Sequence, residues 1–144
     1  MQPADIADRD AYRILLPHPI RYSDLDGQGH VNNAVYATYF EFARTELFFT
    51  IAPDLMPKGA EPVLARLEID YRRELFYPGT IEIGIAVLDI GGSSLRFAQA
   101  VFRDRACIAS GVAVIVKLDS DTRKSSKWTE AERATLGRYA LRRL

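Results

Sequence analysis

Cysteine and histidine are scarce in this chain. Among its 144 residues one is a cysteine, Cys107, and two are histidines, His18 and His30. A single cysteine excludes an internal disulfide and any zinc site built from cysteines, and the two histidines are not spaced as common metal ligands are. We therefore expect neither a metal nor a cofactor. Cys107 lies in the apolar run "CIASGVAVIV", which favours a small buried side chain over a nucleophile.

Net charge and long apolar runs are missing as well. The 19 basic side chains balance the 19 acidic ones, so there is no basic field for nucleic acid or an anionic membrane. No apolar run approaches the roughly 20 residues of a membrane span. The start of the chain, "MQPADIADRDAY", is polar and unlike a secretory signal. We expect a cytoplasmic protein that binds neither nucleic acid nor membrane.

What the chain does contain is enough apolar material for one core, 48% of its residues. From Val63 onward this material alternates with polar residues, which predicts strands. The four stretches are "VLARLEIDYRR", "IEIGIAVLDI", "SLRFAQAVFR" and "CIASGVAVIVKL". The turns between them, "YPGT", "GGS" and "RDRA", are short, whereas parallel neighbours require long crossovers. The pattern therefore predicts a four-stranded antiparallel meander.

One long helix, over roughly residues 33–49, is predicted to precede the strands. Its apolar side chains form two stripes: Tyr36, Phe40, Ala43 and Leu47 on one, and Val35, Tyr39, Phe42 and Phe49 on the other. A helix that is apolar around most of its circumference must be surrounded by other structure. Its length of roughly 25 Å matches the width of a five-stranded sheet at a strand spacing of ~4.8 Å. We predict an α+β fold in which an antiparallel sheet wraps around one long central helix.

The end of the chain differs from the core. "DSDTRKSSK" is a polar linker, and Thr129 and Glu132 then stand at the spacing of a capping box. This predicts a short, mostly exposed C-terminal helix. We expect a single domain over residues 1–144, with the core at about 18–119 and a helical tail at about 129–144.

The acidic turn "DLDGQG", residues 24–29, is similar to two well-known motifs that the rest of the chain does not support. In a calcium loop that begins at Asp24, the twelfth position requires a bidentate carboxylate, but Val35 stands there. The D-x-D turn of a phosphatase belongs to a parallel sheet that alternates with helices, and the predicted meander contradicts that architecture.

A third interpretation joins the acidic turn to the helix that follows it. Asn32 or Asn33 is a suitable N-cap, and the first N–H groups of a helix lack partners and carry partial positive charge. A nearby carboxylate such as that of Asp26 is favoured in its ionised form. Donors that stabilise an oxyanion, next to a carboxylate, suit attack on a carbonyl. The alternative is that these residues only turn the chain and cap the helix.

The stretch D-x-D-x-x-G-H-V-N-N-x-x-Y resembles the signature of the hotdog-fold acyl-CoA thioesterases. It is carried here by Asp24, Asp26, Gly29, His30, Val31, Asn32, Asn33 and Tyr36. The likeness is greatest to the 4-hydroxybenzoyl-CoA thioesterase group with its YbgC-like and FadM-like relatives. It continues through "YFEFART", "IDYRREL", "GGSSL" and "ASGVAVIVKLD", so it covers about residues 18–119. That group folds as a sheet wrapped around a central helix, as the pattern above predicts.

The resemblance implies a catalytic role for Asp26, as nucleophile or general base, and an oxyanion contact from the backbone N–H of Asn33. Supporting residues of the loop would be Asp24, Gly29, His30 and Asn32. His30 is equally well explained as a structural histidine.

Substrate contacts follow less directly from the resemblance. Candidates are Tyr36, Arg72, Arg73 and Arg96, and Lys117 is a further basic candidate for contact with the phosphates of coenzyme A. Tyr36 is also a natural core residue, and each basic side chain is also explained by a solvated strand face.

An acyl-CoA thioesterase without metal or cofactor is thus the implied function. The resemblance further implies a homodimer or homotetramer with active sites between protomers. The same motif resembles that of acyl-acyl-carrier-protein thioesterases, and a non-catalytic domain that binds acyl thioesters or acts as a scaffold remains an alternative. No residue pattern indicates the acyl group.

Overall fold

The structure, a computed structural model, describes residues 5–142. The strands are β1 (Ile14–Pro19), β2 (Ala60–Tyr71), β3 (Thr80–Ile90), β4 (Ser94–Arg103) and β5 (Ala106–Asp119), and the helices are α1 (Val35–Glu46) and α2 (Glu130–Gly137). Short helical turns precede β1, and a π-helical turn, Leu47–Ile51, extends α1. Residues 1–4 of the predicted polar N-terminus and residues 143–144 of the predicted helical tail lie outside the described part.

The five strands form one antiparallel sheet in the order β1-β3-β4-β5-β2. Strands β3, β4 and β5 form the predicted meander, but the prediction was wrong for β2, which pairs with β5 instead of β3. Eight residues, 72–79, connect β2 to β3. This connection is long enough to cross the end of the sheet, so it is not a hairpin turn. Strand β1 takes the place beside β3.

Helix α1 packs on one face of the sheet, and the main core lies between them. The alternation of β3 places Ile81, Ile83 and Ile85 toward the helix, each at most 1% exposed. From α1, Tyr39 and Phe40 are fully buried in the same cluster. The predicted α+β fold, with a sheet around one long helix, is confirmed, and it follows from the nearly all-round apolarity of that helix.

The opposite face of β3 and β4 is covered by residues 6–12, which precede β1, and by Leu141, which follows α2. Tyr12 and Leu141 are buried there against Phe102 and the alanines of the two strands. The ring of Tyr12 meets Phe102 edge to face, with 5.7 Å between ring centroids, and its hydroxyl donates to Ile6 O at 2.6 Å. Both faces of the central strands are therefore buried.

The ends of the two helices can be compared with the predicted ones. Helix α1 begins at Val35 with Ala34 as N-cap and no side-chain cap, so the prediction of an asparagine N-cap was wrong. In α2 the predicted capping box is confirmed: Thr129 Oγ1 accepts from Glu132 N, and Glu132 Oε1 accepts from Thr129 N. Within residues 5–142, neither helix has the length and apolarity needed to cross a bilayer.

Candidate active site

The acidic turn folds as a small hairpin ahead of α1. Leu25 and Val31 form an antiparallel bridge, Asp26 N donates to His30 O at 2.9 Å, and Gly29 N donates to Asp26 O at 3.3 Å. Gly29 has a φ of 87°, a conformation that costs glycine little and other residues more. The sequence puts a glycine where the chain reverses, and the reversal brings Asp26 and His30 together.

Asp24 is buried below this hairpin, with 1% of its surface exposed. Its carboxylate accepts from Arg21 N at 2.9 Å, from Arg21 Nε at 3.0 Å and from the Tyr39 hydroxyl at 2.8 Å. Burial raises the pKa of Asp24, but these hydrogen bonds outweigh burial and hold the pKa below its ordinary value. Asp24 is therefore an ionised anchor between the loop and helix α1.

Asp26 lies on the outer side of the hairpin and is half-buried. Its Oδ1 accepts from Gln28 N at 2.8 Å, and its Oδ2 is 3.1 Å from His30 Nδ1. The other ring nitrogen of His30 is 3.1 Å from Gln28 Oε1, and its ring meets that of Phe76 edge to face. The carboxylate and imidazole thus form an oriented pair.

The backbone at Asn33 leads directly into α1. On either side of it, Asn32 N donates to Asp24 O and Ala34 N donates to Asn32 Oδ1, both at 2.9 Å. The N–H of Asn33 itself meets no acceptor among residues 5–142. Its carbonyl oxygen accepts from the Tyr71 hydroxyl at 2.9 Å. The arrangement leaves one donor available at the positive end of the helix.

A cavity of about 280 Å³ opens beside this donor, between the start of α1 and the end of β2. Its lining consists of His30, Val31, Asn33, Tyr36, Tyr71, Arg72, Arg73 and Glu74. Five of the predicted site residues therefore share one cavity, although they come from three segments of the chain. Burial raises the pKa of Tyr36 to about 12, so this side chain is a neutral donor or a packing ring. Asp26 touches the lining residue His30 but is not among the described residues that line the cavity.

The structure places other candidates elsewhere. Arg96 lies on the sheet face turned away from α1, where it pairs with Asp89. Lys117 is 4% exposed, and its Nζ is bonded to Glu132 Oε1 at 2.7 Å. The ring of His18, in the edge strand β1, packs on Tyr39 and Phe42.

Residues that the sequence reasoning missed are Tyr71 and Glu74. The Tyr71 hydroxyl donates a hydrogen bond to the Asn33 carbonyl oxygen, and Glu74 contributes a carboxylate to the cavity lining. The run "YRREL" contains both residues, but the alternation predicted Tyr71 on the buried face of the strand and gave no role to Glu74.

The family of this chain follows from comparison with known proteins. The family model described as the thioesterase-like superfamily matches residues 20–136, which include the hairpin, α1 and the whole cavity lining. The chain belongs to the thioesterase-like superfamily. The resemblance seen in the D-x-D-x-x-G-H-V-N-N stretch is thereby confirmed.

Known proteins are similar to this chain over most of its length. The chain is 28% identical to the protein YsmA of Bacillus subtilis (strain 168) over 119 residues, which is 81% of this chain and 80% of YsmA. A thioesterase from Thermus thermophilus, solved in complex with coenzyme A and zinc, is 32% identical. It has a TM-score of 0.80, over 94% of this chain and 99% of that one.

The hotdog fold of the superfamily is equally clear from a more distant structure. PA5185 of Pseudomonas aeruginosa PAO1 has a TM-score of 0.86 and 24% identity, over 95% of this chain and 98% of that one. At this identity the likeness concerns the fold alone.

Proposed function

We propose that this protein is an acyl-CoA thioesterase in which Asp26 is the catalytic carboxylate. One observation carries the proposal: in a member of the thioesterase-like superfamily, one cavity is lined by a free N–H at the start of α1, by two arginines and by His30, the histidine that pairs with Asp26. The proposal includes a cytoplasmic location and assembly as a homodimer or homotetramer.

The carbonyl of the thioester is assigned to the Asn33 N–H. Attack on the carbonyl carbon, by Asp26 or by water that Asp26 deprotonates, turns the carbonyl oxygen into an oxyanion. A preorganised donor stabilises that charge more in the transition state than in the ground state. Collapse expels the thiolate of coenzyme A, which takes up a proton. If Asp26 is the nucleophile, water then hydrolyses the resulting anhydride and frees the acid.

Arg72 and Arg73 are the residues that we assign to the phosphates of coenzyme A. Both line the cavity, and Arg72 is oriented by a hydrogen bond from its Nε to Ser110 Oγ at 3.0 Å. A guanidinium matches phosphate oxygens in a two-pronged geometry. Arg96, on the far face, has no part in this assignment.

The test is release of free thiol from a panel of acyl-CoA thioesters, with acyl thioesters of acyl carrier protein in parallel. Asp26→Asn keeps the shape of the side chain but removes its basicity, and it should lower kcat at least ~10²-fold, the scale of general-base catalysis. Substrate affinity should change little, because the groups that bind coenzyme A remain.

The matched control is Glu74→Gln, which neutralises the carboxylate that lines the same cavity. We expect it to retain most of kcat. If Glu74→Gln abolished turnover while Asp26→Asn did not, the carboxylate would be Glu74. Tight acyl-CoA binding without any thiol release would instead identify a binding or scaffold domain, and turnover restricted to the carrier-protein thioesters would change the substrate class.

A metal is not required by this mechanism. Within the described residues no three His, Cys, Asp or Glu side chains are grouped as metal ligands, and the helix start supplies the positive field. We expect thiol release to continue unchanged after exhaustive chelation with EDTA. Loss of activity that one divalent ion restored would assign Asp24 or Asp26 to a metal.

A further inference from the structure

A second cavity contains a buried charge that the proposed thioesterase reaction does not use. Arg44, on α1, is 7% exposed. Its Nη1 donates to Gln99 Oε1 at 3.0 Å, and Gln99, which is fully buried on β4, donates from Nε2 to Phe40 O at 2.9 Å. One amide oxygen is thus the hydrogen-bond acceptor for a guanidinium with five N–H donors.

Arg44 makes no ion pair within the part of the chain that the structure describes. No carboxylate of these residues lies within ion-pair distance of Arg44, and the carboxylate of Glu61 pairs with Arg123. Burial lowers the pKa of Arg44, and the exposed Glu41, one turn earlier on α1, acts in the opposite direction. A buried charge without a counter-charge is costly, and proteins retain such charges mainly where something pairs with them.

The guanidinium lines a cavity of about 420 Å³ between α1 and the first half of β2. The lining consists of Glu41, Arg44, Thr45, Phe48, Phe49, Ala60, Glu61, Pro62, Leu64 and Ile115. No buried side-chain nitrogen or oxygen of the described residues lacks a hydrogen-bond partner. Nε and Nη2 of Arg44, which have no hydrogen-bond partner among these residues, are therefore not fully buried, and Arg44 lines the cavity.

From these contacts we infer that this cavity binds an organic carboxylate with an apolar body. The carboxylate pairs with the free N–H groups of Arg44, a match that a guanidinium makes through two parallel hydrogen bonds. The apolar body lies against Phe48, Leu64 and Ile115. Two carboxylates, those of Glu41 and Glu61, also belong to the lining, and the second is paired with an arginine outside it. Cavities of this size are typical of small-molecule sites.

This site is separate from the cavity at the start of α1. Arg44 follows Tyr36 by eight positions, which is about 12 Å along a helix, and the two cavities share no lining residue. The inference therefore does not rest on the proposed thioesterase activity.

Calorimetric titration with octanoate and with octan-1-ol at pH 7 tests the inference on the full chain. Octanoate should bind saturably and at least tenfold more tightly than the uncharged alcohol. Arg44→Met keeps an aliphatic stem but no charge, and it should remove that preference, whereas Arg44→Lys should keep part of it. Arg96→Met, which removes an exposed arginine from the other face, should bind octanoate as the wild type does.

Equal affinity for acid and alcohol, or octanoate binding that survives Arg44→Met, would overturn the inference. Absence of saturable binding would also overturn it. Should Arg44→Met fail to fold, Thr45→Trp at the exposed cavity wall replaces it and is expected to abolish octanoate binding.

Discussion

Asp24 and Asp26 stand two positions apart in the sequence and occupy opposite surroundings in the fold. A helical turn over Tyr22–Asp24 directs the first carboxylate inward, where Arg21 and Tyr39 surround it. The hairpin that follows directs the second outward, toward His30. A carboxylate with its acceptor sites filled is suited to holding structure, and one that pairs with a histidine of the cavity lining is suited to reacting.

Asp24→Asn should lower the free energy of unfolding more than it lowers kcat. Loss of hydrogen bonds to a charged group is expected to cost about 1.5–3 kcal/mol in the free energy of unfolding at pH 7. Because the folded-state pKa of Asp24 lies below its unfolded value of ~3.9, the contribution is complete above that pH and is lost as the pH falls through the folded value.

Urea denaturation of the wild type and of Asp24→Asn at pH 7, 5 and 3 measures this contribution. The difference in stability should be the same at pH 7 and pH 5 and should shrink at pH 3. Other carboxylates titrate in both proteins and cancel in the difference. A difference that stays constant to pH 3 would mean that the Asp24 carboxylate is not stabilised in its ionised form.

At the scale of secondary-structure elements, a buried ion pair joins helix α2 to the sheet. Lys117 on β5 and Glu132 on α2 have side-chain exposures of 5% and 8%, and their charged atoms are 2.7 Å apart. Lys117 Nζ also donates to Lys127 O and lies over the Trp128 ring. Burial raises the pKa of Glu132, but the bond from Lys117 and the capping contacts outweigh it, so the pKa is lowered.

Replacing one partner of this ion pair should lower the free energy of unfolding substantially. Lys117→Met leaves the Glu132 carboxylate buried without its counter-charge, and we expect a loss of about 3–5 kcal/mol. The double variant Lys117→Met/Glu132→Leu should lose less than the sum of the two single losses, because it leaves no lone charge. The exposed pair Arg96–Asp89 serves as control, and Asp89→Asn should cost at most about 1 kcal/mol. Urea denaturation gives all four values, and additive losses would show that the two groups are not coupled.

At the scale of the whole molecule, β2 is an open edge of the sheet. Three large apolar side chains are exposed on and beside it: Leu64 at 43%, Tyr71 at 51% and Phe49 at 57%. An exposed edge strand with apolar side chains is a surface on which another chain can pair. The edge also borders both cavities, so a second copy placed there would complete their walls.

We expect sedimentation velocity at micromolar concentration to show at least two copies of the 16.2 kDa chain. Leu64→Glu should shift the distribution toward the monomer, because it places a charge on the edge that we assign to the interface. Tyr22→Ser, at an exposed aromatic in the turn before the hairpin, should not. A stable, fully active monomer would contradict the assembly.

The sequence by itself was sufficient for the fold class and for the family. Period-two alternation and an all-round apolar helix depend only on local geometry. Residues 81–90 were therefore predicted as a strand, and roughly residues 33–49 as the helix that the structure has at Val35–Glu46. The motif around Asp26 is likewise continuous in the chain. The capping box of Thr129 and Glu132 needed no tertiary information, since both groups lie in the same turn of one helix.

Which strands pair, and where each charged side chain lies, were decided only by the tertiary structure. Strand β2 joins β5 rather than β3 because the chain crosses the end of the sheet, and alternation says nothing about which neighbour a strand selects. Arg72 and Arg96 are alike in sequence, yet one lines the cavity and the other faces away. Buried partners such as Arg44 and Gln99 stand 55 positions apart, and no local pattern encodes a contact that exists only after the helix has packed on the sheet.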